Sequence, residues 1–165
     1  MKKISLILLT VLMSFCLFTS CSDDDDDKID NAIIGTWEID YDAYDADVVT
    51  NDEDATETIS YHLEDFGMLW GTYEFRKDGT VTNTDDDNTF HGKYETKGDK
   101  LILSGEEDGK TIKMEFTYSI NGNKLTTYYN AKPHLTNEYL ESIRVENIES
   151  LVIEKALFIC NLNKK

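Results

Sequence analysis

Thr111-Ile112-Lys113-Met114-Glu115-Phe116-Thr117-Tyr118-Ser119-Ile120 alternates polar and apolar side chains and runs straight into Asn121-Gly122-Asn123. A period of two places Ile112, Met114, Phe116, Tyr118 and Ile120 on one face of a β-strand and Lys113, Glu115, Thr117 and Ser119 on the other. Asn-Gly supplies the positive backbone angles of a tight hairpin, so the chain returns through 124–130 as an antiparallel partner. The same grammar recurs on both sides. Segments 71–76 and 80–84 flank Lys77-Asp78-Gly79. Segment 89–96 puts Phe90, Gly92 and Tyr94 on one face, and Lys97-Gly98-Asp99 turns it into 100–104. Further turns fall at 85–88 and 106–109, and the single proline, Pro133, follows the return strand.

The ends of the chain are less regular. Residues 33–41 read as the first strand, with Trp37, Ile39 and Tyr41 on one face. An acidic loop, 42–55, follows. Asp54-Ala55-Thr56-Glu57 has the form of a helix capping box, and Ile59, Leu63, Phe66 and Trp70 then fall near one helical face, with Gly67 as a stop. Ile59, Tyr61 and Leu63 also alternate, so a strand competes with the helix over 56–66. Segments 137–146 and 151–160 read as a closing strand pair. The sum is about eight antiparallel strands with up-and-down connections and one short helix. An open sheet of that size exposes two edges, and closure into a barrel removes them.

Before the barrel comes a targeting segment. Lys2 and Lys3 precede the apolar run Ile4 to Phe18, which is shorter than the about 20 residues a membrane span requires. Residues 1–20 therefore read as a cleaved signal peptide. Cys21, Ser22 and the five aspartates Asp23 to Asp27 follow. Like charges in a row cannot pack, so 21–31 reads as a disordered tether and 32–165 as the folded domain.

Loss of residues 1–20 removes Lys2 and Lys3 and no acid, leaving 14 basic against 33 acidic side chains and a net charge of −19. That charge disfavours nucleic acid and anionic lipid surfaces and favours neutral or cationic partners. Of three cysteines, Cys16 leaves with the signal, and Cys21 and Cys160 remain. Cys160 lies in an apolar run and reads as a buried small hydrophobe.

Phe18-Thr19-Ser20-Cys21 resembles the lipobox of bacterial lipoproteins, with Phe where the pattern prefers Leu. The resemblance implies cleavage before Cys21, thioether lipidation of its sulfur and acylation (palmitate) of the new amino terminus. Two or more acyl chains anchor stably, because each buried methylene contributes about 0.8 kcal/mol. With Cys21 lipidated, Cys160 has no partner for an intramolecular disulfide. Ser22 and the aspartate run are similar to the acidic export signal of one large group of Gram-negative bacteria. They imply an outer-membrane, lipid-anchored protein displayed at the cell surface.

Gly35-Thr36-Trp37 resembles the Gly-x-Trp signature of lipocalins. The ladder Tyr73-Glu74-Phe75 through Gly79-Thr80-Val81, Gly92-Lys93-Tyr94 and Leu101-Ile102-Leu103 looks like the lipocalin-like domains of bacterial surface lipoproteins. The resemblance covers roughly 33–159 and implies an eight-stranded calyx for a small apolar molecule. Trp37, Tyr73, Phe75, Tyr94, Met114, Phe116 and Tyr118 are the expected wall; their alternative role is to fill the core.

Catalytic signatures are lacking. His62, His91 and His134 have no metal-ligand spacing. There is no nucleophile elbow, phosphate loop or catalytic cysteine motif. Asp40 to Asp47 offers oxygens for calcium but lacks the EF-hand glycine and closing glutamate. A non-catalytic binding module without cofactor is expected. A filled barrel that docks a protein partner through 42–55 is the alternative, and a carboxylate hydrolase a distant third.

Overall fold

A computed structural model describes residues 29–64, 69–85, 88–107 and 109–165. The signal segment, Cys21 and the aspartate run lie outside them, as do Phe66 and Gly67. In chain order the described elements are β1 (Gly35–Ile39), β2 (Asp45–Thr50), helix α1 (Glu53–Glu64), β3 (Thr72–Phe75), β4 (Thr80–Asp85), β5 (Asn88–Lys97), β6 (Lys100–Glu107), β7 (Lys110–Asn121), β8 (Lys124–Asn130), helix α2 (Asn137–Ser142) and β9 (Ile153–Lys164). Every pairing is antiparallel, in the order β1-β3-β4-β5-β6-β7-β8-β9. Closure comes from β1, whose Trp37 and Ile39 face Lys164 and Leu162 of β9. The all-β, eight-stranded barrel expected from period-two burial is the architecture found.

Alternation also chose the inner face. Trp37, Tyr73, Phe75, Val81, Tyr94, Leu101, Phe116, Tyr118, Leu125, Phe158, Cys160 and Leu162 are all buried in one cluster. Cys160 is fully buried and free.

One end of the barrel is sealed. The β3–β4, β5–β6 and β7–β8 turns lie there with the start of β1 and the end of β9. Trp37 donates its indole N–H to the Ile33 carbonyl at 2.7 Å, and the Lys164 ammonium lies 5.1 Å from its ring centre. The N-terminal chain docks on the same end: Asp30 N–H donates to Thr96 Oγ1 at 2.7 Å, the Tyr118 hydroxyl donates to Asp30 Oδ2 at 2.9 Å, and Ile29 packs on the core. Residues 29–31, read from sequence as tether, are thus part of the fold. Partners for Asp30 come from strands that sequence order does not reveal.

The opposite end departs further from the sequence reading. Residues 42–55 are not a loop. After a 3-10 turn at Tyr41–Ala43, β2 continues along the same edge of β9 that β1 occupies, with Val48 opposite Ala156. Tyr41 leaves the inner face with that turn and is exposed. The helix is real, but its cap is Asp52, whose Oδ1 accepts from Ala55 N–H at 2.9 Å; Asp54 and Glu57 form no capping box because the helix has begun by Glu53. Trp70 lies beyond the helix. Ala55, Ile59 and Leu63 form its buried stripe and meet Val48, Ala156, Ala131, Leu140 and Val145. Ala156 shares a strand face with Phe158 and Cys160, so this second cluster prolongs the barrel's inner surface under a helical cover. Segment 137–146 is no strand: Thr136 accepts from Tyr139 N–H and starts α2, and β9 pairs with β8, β1 and β2 instead.

Charge is unevenly spread. Arg76, Lys77, Lys97, Lys100, Lys124, Lys164 and Lys165 belong to the sealed end. At the far end Asp85 closes β4, Glu106 and Glu107 end β6, and Lys110 opens β7 opposite Glu107.

Candidate functional site

The barrel's interior is filled. Between Phe75, Leu101, Phe116, Leu125 and Leu162 there remains about 10 Å³ of void, at the lower limit for a single water. No deep calyx is present among the described residues. Space opens instead at the mouth, the end opposite the Trp37 seal, where a cleft of about 280 Å³ is lined by Leu69, Trp70, Tyr73, Val81, Asn83, Phe90, Leu103, Ile112 and Met114, with His91 and Glu106 at its edge.

The cleft exists because the wall splits. β5 and β6 pair from Lys97↔Lys100 as far as Lys93↔Ser104, and the ladder stops there. Beyond it, β5 continues on β4 to Asn88 and β6 continues on β7 to Glu107. Gly92 marks the fork: a Cβ on it would lie 2.6 Å from the Ser104 carbonyl oxygen. Above the fork, Phe90 points inward by strand parity yet is 55% exposed, because no opposing wall covers it.

A pinned lip faces the split. Ile39 N–H donates to the Gly71 carbonyl at 3.1 Å. Gly71 N–H donates to the Tyr41 hydroxyl at 2.8 Å, and the Tyr44 hydroxyl donates to the Leu69 carbonyl at 2.7 Å. Buried Asn83 donates its amide to the Trp70 carbonyl at 2.6 Å. Gly71 has φ +71°, and a Cβ there would come within 2.2 Å of the Thr84 carbonyl oxygen. These bonds hold Trp70 edge-to-face with Phe90, ring centres 6.1 Å apart. Trp70, Phe90 and Ile112 are exposed large hydrophobics, and all three rim this one cleft.

The residues expected to form a ligand wall are divided by height along the barrel. Tyr73 and Met114 line the open cleft. Phe75 and Phe116 line the small void beneath it, together with the lower part of Tyr73. Trp37, Tyr94 and Tyr118 belong to the sealed end, where the Tyr94 hydroxyl donates to the Arg76 carbonyl at 2.8 Å. Burial raises the Tyr73 hydroxyl well above the ordinary phenol range, and burial followed by the Asp30 carboxylate does so for Tyr118. Both are neutral hydrogen-bonding groups at any physiological pH. Leu69, Trp70, Val81, Asn83, Phe90, Leu103 and Ile112 line the cleft although sequence reasoning did not place them in the site. Phe90 shares the parity of Tyr94, which was a usable signal; Trp70 was masked by the helical spacing of Ile59 and Leu63.

The histidines do not converge. His62 lies on α1 beside Tyr61, His91 edges the cleft, and His134 pairs with the Tyr129 hydroxyl at 2.7 Å. Among the described residues no three histidine, cysteine or carboxylate side chains gather as a metal site, and no helix is long and apolar enough to cross a membrane. No protein-family model, curated protein or solved structure matches the chain.

Proposed function

We propose that this protein is a non-catalytic, lipocalin-like binding module, lipid-anchored through Cys21 and displayed on a bacterial outer membrane, that holds a small apolar molecule in the cleft between β5 and β6. The observation carrying the reading is the coincidence of a cleft of about 280 Å³ with exposed Trp70, Phe90 and Ile112 on its rim. Ligand sites are concave, mostly apolar and roughly 300–1,000 Å³ in volume, so the occupant is small, held by the mouth and not swallowed by the barrel. Asn83, His91 and Glu106 supply the few polar groups that orient it.

The test uses the soluble chain beginning at Ser22. Native mass spectrometry looks for a co-purified molecule, and a neutral naphthylamine dye reports the cleft directly. Trp70→Ala with Phe90→Ala should weaken dye binding about tenfold or more, the equivalent of roughly 1.4 kcal/mol. Trp37→Phe, at the sealed end, should leave it unchanged. Dye affinity indifferent to Trp70 and Phe90 would overturn the proposal.

The void of only about 10 Å³ in the interior favours a second reading, an accessory lipoprotein with a filled barrel. Its contact with a protein partner would be the acidic segment 42–55, carried on the outer surface of β2 and the first turns of α1. Pull-down with that surface neutralised, at Glu53, Asp54 and Glu57, discriminates it from ligand binding.

A further inference from the structure

We infer that the cleft selects small apolar molecules carrying one neutral head group that both accepts and donates a hydrogen bond, an alcohol in the simplest case, with the head seated inward on Tyr73 and Asn83. The inference rests on the ligand-binding reading above and deepens it: it names what the occupant carries and which end of it enters first.

The floor of the cleft is a row across three strands. Tyr73 of β3 stands directly opposite Asn83 of β4, and Asn83 directly opposite Phe90 of β5. Cross-strand partners on one face lie about 5 Å apart at Cβ, so one small ligand spans the row. Tyr73 and Asn83 are only 6% and 7% exposed, and both line the cleft.

Each has spent only part of its hydrogen-bonding capacity. The Asn83 amide nitrogen donates to the Trp70 carbonyl at 2.6 Å. That bond sets the amide, because its oxygen would repel the carbonyl, and so turns Oδ1 away from Trp70. Oδ1 accepts from no described residue. The Trp70 backbone N–H is directed at the Tyr73 oxygen, while the hydroxyl proton reaches no acceptor among the described residues. No side-chain nitrogen or oxygen shut off from the surface lacks a partner among those residues. These two unspent groups are therefore open to space, and the cleft is the space they line. One donor and one acceptor side by side in an apolar floor are satisfied together by a hydroxyl head. A hydrocarbon buries both unmet, which costs affinity.

Charge on the head is disfavoured. Among the described residues neither lysine nor arginine lines the cleft, and the acid at its edge is Glu106. Lys93, of opposite parity to Tyr94, lines the outer side of the split with Thr111. A carboxylate seated beside Tyr73 would lose its water without gaining a counter-charge. Burial keeps the Tyr73 hydroxyl protonated, so the donor persists across the physiological range.

Displacement of the naphthylamine dye from the soluble chain beginning at Ser22, which retains every described residue, compares four matched probes: tetralin, 1-tetralone, 1-tetralol and tetralin-1-carboxylate. Tetralol should bind about threefold to tenfold more tightly than tetralin. Tetralone accepts from Tyr73 but offers nothing to Asn83 and should fall between them; the carboxylate should be weakest. Tyr73→Phe should weaken tetralol and tetralone about threefold to tenfold while tetralin and the dye keep their affinities. Tetralol no tighter than tetralin, tetralone as tight as tetralol, or the carboxylate as tight as tetralol, each on the unaltered chain, overturns the two-point neutral head. So does a Tyr73→Phe variant that weakens every probe alike, since the hydroxyl would then only hold the Trp70 lip. Failure of every probe to displace the dye, or dye binding indifferent to Trp70 and Phe90, overturns the cleft itself and this inference with it.

Discussion

Gly92 decides where the barrel stops being a barrel. With hydrogen as its side chain, the Ser104 carbonyl can approach and the last rungs of the β5–β6 ladder close; a methyl at 2.6 Å has nowhere to go. Gly92→Ala should destabilise the fold by about 1–3 kcal/mol, the range for forced overpacking, as read by urea denaturation. It should also widen the cleft, so dye affinity should change alongside. Cys160 gives a second residue-scale expectation. Burial, and to a lesser extent the Asp40 charge, push its thiol up to about 12 from an ordinary 9.0. The neutral thiol is the form the fold prefers. Its contribution to stability is therefore complete below pH 9 and is lost as pH climbs from 9 toward 12, at a limiting slope of about 1.4 kcal/mol per pH unit for one group. Alkaline melts should show that fall, and Cys160→Ala should flatten part of it. A thiol reagent that modified the native protein at neutral pH would contradict the burial. Parity in the sequence correctly turned Trp37, Tyr73, Phe75, Tyr94, Phe116 and Tyr118 inward. It gave no height along the barrel axis, and height is what separates a sealing tryptophan from a cleft-facing tyrosine.

Helix α1 and strand β2 show what a local reading of elements misses. Asp45-Ala46-Asp47-Val48 alternates, but its inward residues are small and its outward ones acidic, which resembles a loop until β9, more than a hundred residues away, supplies the partner edge. Asp52 was hidden by a competing cap motif two residues on. Asp52→Ala should cost about 1 kcal/mol, typical of a lost N-cap, and should loosen the cover over Val48 and Ala156; Asp54→Ala should cost little. Thermal melts of the two variants make the comparison. The hairpins, by contrast, were legible turn by turn because Asp-Gly, Gly-Asp and Asn-Gly fix their own geometry without help from afar. Segment 137–146 carried a readable signal in Thr136, a preferred N-cap residue, that an expectation of one more strand pair overrode.

At the scale of the whole molecule, closure followed from counting strands, and the lack of a deep cavity did not, because void volume depends on how large side chains from eight strands meet. Attachment is a separate matter from shape. Cys21→Ala should move the protein from the membrane fraction to the soluble fraction; retention there would point to an uncleaved helix. The unfinished β5–β6 ladder has a mechanical corollary. Two hairpins stapled at the root and free at the tip can spread like tweezers without rupturing an inter-strand rung, so entry of a guest costs little enthalpy. Deuterium uptake should then step sharply at the root, with the β6-facing amides of 88–92 exchanging far faster than those of 93–97, and the step should shrink when the tips grip something between them.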